Sequence, residues 1–221
     1  MTTIHSGSTA LRAIGDLRSP AGKLEALLNA GASDAPFAAL VCHPHPLGGG
    51  TMHNKVVYHA MKALQALGFP VLRFNFRGTG LSEGQHDDGR GECEDVQAAL
   101  DWLEREFHLP ILFAGFSFGA AVGLRSCCGD PRVSGLIALG LPTYAEGRDY
   151  RYHFLGSCTQ PKLFISGTRD QFAPREQLEE IFHSAAPPTE TVWIDDAEHF
   201  FLGKLDTVQQ AIRNWVEVHF L

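Results

Sequence analysis

Short apolar runs alternate with amphipathic stretches along most of the chain, and the two differ in period. "PFAALVC" (36–42), "PVLRFNF" (70–76), "PILFAG" (110–115), "VSGLIALG" (133–140), "PKLFISG" (161–167) and "TETVWID" (189–195) read as strands. Helical spacing fills the intervals. Val57, Ala60, Met61, Leu64 and Leu67 share one face over 53–67, which Gly68 ends. Val96, Ala99, Leu100, Leu103 and Phe107 repeat the period over 92–107, and Leu205, Val208, Ile212, Trp215 and Val216 over 204–219. A compact Ala/Gly-rich helix follows Ser117 and another lies around 174–183. The alternation predicts an α/β fold with a mainly parallel central sheet and helices on both faces. "GKLEALLNA" (22–30) fits an antiparallel edge strand or a helix, the strand fitting better. With no repeat, low-complexity tract or long linker, residues 1–221 read as one domain.

Composition narrows the function. The 221 residues are 44% hydrophobic and 19% charged, which suits one globular domain with a substantial core. No run approaches the roughly eighteen apolar residues of a membrane span, and "MTTIHSGSTA" has neither the basic patch nor the apolar core of a secretory signal. A cytoplasmic location is expected, without membrane association. The five cysteines are an odd number without metal-like pairing, and they read as free, mostly buried thiols. A net charge of −7 with no basic block argues against nucleic acid as partner.

In open α/β sheets the chemistry gathers at the carboxyl ends of the strands. The strand at 110–115 runs into Gly115-Phe116-Ser117-Phe118-Gly119, a G-x-S-x-G pattern. Such a strand-to-helix turn holds its serine strained and exposed, with glycines where side chains would strike backbone. The competing reading is a serine that merely caps the following helix. A serine hydroxyl needs a base, itself oriented by a third group. The strand at 161–167 delivers Asp170 to the same sheet edge, and the strand at 189–195 delivers His199. Three strand ends thus supply nucleophile, acid and base in that chain order. Asp195, Asp196 and Glu198 also crowd His199 in sequence, but residues so close seldom reach the far ring nitrogen, and Asp170 suits the orienting role better.

From about Pro36 onward the chain resembles the α/β-hydrolase superfamily, and more narrowly the small bacterial hydrolases related to dienelactone hydrolases. The resemblance rests on "CHPHPLGGGTMHNKVV" (42–57), "RFNFRGTGLSEG" (73–84), "GFSFGA" (115–120), "GTRDQFAP" (167–174) and "DDAEHFF" (195–201). It implies an α/β-hydrolase fold and a cofactor-free serine hydrolase with Ser117, Asp170 and His199 as catalytic residues. It also implies an oxyanion hole from the N–H of Phe118 and a second N–H in the loop after the first of these strands. Where such enzymes commonly carry His-Gly, this chain has His43-Pro44-His45-Pro46. Proline has no N–H to give, so the second donor is His45 or Leu47, with His45 better placed relative to the strand end.

Other readings compete. His43, His45 and His53 invite a metal, but no carboxylate or cysteine pair completes a familiar ligand set, so they are expected to hold the loop by hydrogen bonds. "FRGTGLSEG" lacks the Lys and Ser/Thr of a phosphate loop, and Arg77 is expected to anchor backbone or carboxylates. Cys42 reads as a buried thiol, and Glu92, Glu94 and Asp95 as helix-dipole partners. "LPTYAEGRDYRYHFLGSCTQ" (141–160) is too short for a separate lid domain. An open, shallow site is expected, walled by Leu47, Phe116, Phe118 and Phe200, with Tyr144 and Phe154 at the rim. It would take a small-molecule acyl substrate, short to medium carboxylesters before thioesters, lactones or peptides. The alternatives are a catalytically silent binding module of the same fold and a metal-dependent hydrolase. The oligomeric state leaves no trace in the sequence.

Overall fold

The protein, seen in a computed structural model that describes residues 10–145 and 148–221, forms every strand and helix expected between Pro36 and the C-terminus. The N-terminal region adds β1 (Leu11–Ile14), β2 (Arg18–Ser19), β3 (Gly22–Lys23) and β4 (Ala26–Asn29). Then come β5 (Ala38–Cys42), β6 (Val71–Phe74), β7 (Ile111–Phe116) and β8 (Val133–Leu139), the short β9 (Tyr144–Ala145) and β10 (Arg148–Asp149), β11 (Lys162–Gly167) and β12 (Thr189–Ile194). The helices are α1 (Lys55–Ala66), α2 (Gly91–Phe107), α3 (Phe118–Cys127), α4 (Arg175–Ser184) and α5 (Leu205–Phe220).

Eight strands make the central sheet in the order β1-β4-β6-β5-β7-β8-β11-β12. From β6 to β12 neighbours are parallel, while β4 is antiparallel to β6 and to β1. The strand expected within 22–30 therefore exists, but it lies second from the edge. The edge itself is β1, whose only buried residue is Ile14, so "LRAI" carries no alternating signal.

Side-chain alternation sorts the parallel strands into two cores. Leu40, Phe74, Phe113, Leu136 and Phe164 face α2, α3 and α4, whereas Val41, Val71, Leu112, Ile137 and Ile165 face α1 and α5. Parallel strands buried on both faces read as continuous apolar runs, which is why they stood out in the sequence. Beneath the loop after β6, the buried Asp95 carboxylate accepts hydrogen bonds from Arg77 Nη2 at 2.8 Å and from the Arg77 backbone N–H at 3.0 Å. Arg77 thus anchors carboxylates as expected. Glu92 is also fully buried and accepts the N–H groups of Asp87 and Gly89, so these acids close a loop rather than merely facing a helix dipole.

The cysteine expectation needs correction. Cys128 and Cys158 form a disulfide, while Cys42, Cys93 and Cys127 are free. The pairing joins the end of α3 to the segment before β11, a tertiary approach that sequence spacing does not reveal. Among the described residues no helix is long and apolar enough to cross a membrane.

Candidate active site

Ser117 stands between β7 and α3 with φ 55° and ψ −120°, a strained backbone for a residue with a side chain. The flanking glycines make this turn possible. A Cβ on Gly115 would lie 2.6 Å from the Gly119 carbonyl oxygen, and one on Gly119 would strike the carbonyls of His43 and Cys42. The Ser117 N–H donates to the Leu139 carbonyl at 2.9 Å, and its own carbonyl accepts from Ala121 at 3.1 Å. The side chain makes no capping bond to α3. Its Oγ lies instead 2.9 Å from His199 Nε2.

His199 enters on the loop after β12, and its Nδ1 is 2.8 Å from Asp170 Oδ2. That carboxylate follows β11, and its other oxygen accepts the N–H of Phe172 at 2.8 Å. The partners define the tautomer: the Nδ1 proton faces the carboxylate, and Nε2 is left to accept from the serine. Phe116 and Phe172 pack on the imidazole with ring centroids 5.0 and 4.7 Å away, leaving His199 2% exposed. Gly140 keeps the remaining approach open, for a Cβ there would lie 3.3 Å from His199 Nδ1. The three strand-end residues of the sequence reading are therefore within hydrogen-bonding reach of one another. Asp195 and Asp196 are exposed, and Glu198 accepts the N–H groups of Phe200 and Leu202, bracing the loop.

The His-Pro-His-Pro loop lies beside the serine turn. His43, fully buried, donates from Nδ1 to the Pro44 carbonyl at 2.7 Å and accepts the Phe76 N–H on Nε2 at 2.9 Å. Burial, opposed by the Pro44 bond and assisted by His45, lowers its pKa to about 4. His45 Nδ1 accepts the Leu47 N–H at 3.1 Å and packs its ring on Phe118 at 4.6 Å. Burial, then the charges of Arg148 and His86, lower the His45 pKa to about 4 against the opposing charge of Asp88. The Leu47 N–H is thus engaged, whereas among the described residues no hydrogen bond engages the N–H of His45 or Phe118.

Above Ser117 and His199 lies a cavity of about 190 Å³, walled by Pro142, Phe172 and Phe200 and floored by the Gly48–Gly50 backbone. Phe200 is where the sequence reading put it. Leu47 points away, 74% exposed, Phe116 is fully buried beneath the imidazole, and Tyr144 is 62% exposed outside the cavity. Phe154 packs into the core beside Tyr152. The wall on that side comes from Arg148 and Tyr150, which the sequence reading missed. They lie on a short hairpin and its tail, where no periodicity tells which side chains turn inward. Tyr152 holds this segment by donating its hydroxyl to the Pro142 carbonyl at 2.6 Å.

Burial raises the Cys42 thiol well above its ordinary pKa, which suits an inert core residue. Among the described residues, no group of three or more His, Cys, Asp or Glu is arranged to hold a metal ion.

Comparison with known proteins agrees with this architecture. An uncharacterized Rickettsia prowazekii protein, RP471, is 34% identical over 204 residues, covering 89% of this chain and 85% of its own. An alpha-beta serine hydrolase homologue from Coxiella burnetii superposes with a TM-score of 0.83 at 34% identity, covering 97% of this chain and 100% of that one. XC6422 from Xanthomonas campestris, described as an a/b serine hydrolase without lid, gives a TM-score of 0.83 at 33% identity, covering 95% and 94%. Residues 38–218 match the alpha/beta hydrolase domain family, and the chain belongs to that family.

Proposed function

We propose that this protein is a serine hydrolase of carboxylesterase type that cleaves short to medium acyl esters through an acyl-enzyme. The observation that carries the reading is the unbroken chain from Ser117 Oγ through His199, with links of 2.9 and 2.8 Å, to a buried Asp170. His199 takes the serine proton as Oγ attacks the acyl carbonyl, and Asp170 holds the tautomer and stabilises the imidazolium. The developing oxyanion accepts from the N–H groups of Phe118 and His45. His45 is preferred to Leu47 because the Leu47 N–H is already donated to the His45 ring. His199 then protonates the leaving alcohol, and water, deprotonated by the same ring, releases the acid. The absence of a lid and the small apolar cavity favour compact acyl groups over long chains.

Intact-mass analysis after treatment with a fluorophosphonate tests the reading. Wild type should gain one adduct, and Ser117→Ala and His199→Ala should gain none. Well-folded wild type that stays unlabelled would overturn it.

A further inference from the structure

A second cavity, of about 260 Å³, adjoins the first and shares His45, Arg148 and Tyr150 with it. It runs along the first two turns of α3, past Phe118, Ala121 and Val122, and Arg125 also lines it. Two exposed arginines therefore line it, Arg148 where it meets the Ser117 cavity and Arg125 two turns along α3, in a chain whose net charge is −7. Among the described residues the one carboxylate on its wall, Asp88, lies 3.5 Å from His86 Nε2. Arg148 and Tyr150 line both cavities and so stand at their junction. Among the described residues no carboxylate pairs with Arg125, unlike Arg77, Arg132 and Arg175. The charge of Arg148 is already felt at the oxyanion loop, where it disfavours protonation of His45.

The geometry points to an ester that carries a carboxylate on one arm, the reacting carbonyl lying at Ser117 and the carboxylate between Arg125 and Arg148. This rests on the serine-hydrolase reading above and names its substrate class. A guanidinium presents a planar fork that matches a carboxylate, so both arginines suit that group better than a neutral chain end. Phe118, Ala121 and Val122 offer an apolar passage for the methylenes between the two ends. Hydrolysis remains ordinary: water adds across the acyl–oxygen bond, giving a dicarboxylic acid and an alcohol when the carboxylate is on the acyl arm.

The test compares mono-4-nitrophenyl adipate with 4-nitrophenyl hexanoate, which differ in the terminal group of a six-carbon acyl arm. A second pair, 4-(hexanoyloxy)benzoate and phenyl hexanoate, puts the carboxylate on the alcohol arm. In wild type kcat/KM should favour the charged ester about tenfold or more in one pair. The double variant Arg125→Gln/Arg148→Gln should collapse that ratio, which cancels any general change in the site. Fluorophosphonate labelling of Ser117 in the variant shows that it is folded and separates the two readings. A labelled wild type that treats both members of each pair alike overturns the carboxylate site and leaves the serine hydrolase standing. If wild type cleaves none of the esters, calorimetric titration with monomethyl adipate decides. Heat lost in the double variant supports the site, and no heat in wild type overturns it.

Discussion

His43 shows how one side chain serves the site without touching the chemistry. Its two ring nitrogens fasten the Pro44 carbonyl and the Phe76 N–H, which requires the neutral imidazole. Its pKa falls from 6.5 to about 4 because burial disfavours the cation. The folded chain therefore binds fewer protons than the unfolded chain between those values. The stabilisation is complete above about pH 6.5 and is lost as pH falls toward 4, by up to roughly 3 kcal/mol from this residue. The lowered pKa of His45 acts in the same direction. Denaturant midpoints should accordingly fall between about pH 6.5 and 4.5. His43→Gln, which keeps an acceptor and a donor, should show a slope shallower by close to one proton, and an unaltered slope would assign the acid sensitivity elsewhere. The sequence marked His43 and His45 as loop-holding residues, and it marked Ser117, Asp170 and His199 because each follows a recognisable strand. The wall residues Arg148 and Tyr150 were hidden for the opposite reason: they follow no periodic element, so nothing in the chain says which way they face.

At the scale of the element, α3 depends on how closely it approaches β5. A Cβ on Gly119 would lie 2.7 Å from the Cys42 carbonyl oxygen and 2.8 Å from its carbon, both backbone atoms that cannot swing aside. Gly119→Ala should destabilise by about 1–3 kcal/mol and reduce fluorophosphonate labelling further still, because the displaced turn carries Ser117. Gly48→Ala is the control. Its nearest neighbour is His45 Cβ at 3.9 Å, an ordinary contact, and its thermal midpoint should barely change. Equal effects of the two substitutions would sink the close-packing argument. The motif announced this constraint, since G-x-S-x-G places glycine where backbone must touch backbone. The N-terminal strands were harder to read. β1 shows three exposed residues of four, so its place at the sheet edge is decided by pairing with β4 rather than by its own pattern.

Across the whole molecule, the disulfide is the feature least visible in the sequence. Cys128 and Cys158 are 30 residues apart in the chain, and only the return of the segment before β11 toward the end of α3 brings their Cα atoms to 5.3 Å. Closing a loop of that length in the unfolded chain is worth about 3–4 kcal/mol. Reduction, or Cys128→Ser with Cys158→Ser, should lower the thermal midpoint by roughly 7–14 °C in a chain of this size. Cys127→Ser is expected to leave the response to reductant intact, and a midpoint indifferent to reductant would show that the bond bears no such load.

The helix that begins beside Ser117 also carries Arg125, two turns further on. Eight residues of α-helix span about 12 Å, and that interval is set by the helix's own hydrogen bonds rather than by any loop. The far end of the same helix is bolted through Cys128 to the segment that follows the Arg148 hairpin. The backbones of Ser117 and Arg125 are thus two marks on one ruler. Sequence drift in the surrounding loops can reshape the walls of the cavities, but it leaves the spacing between the marks unchanged.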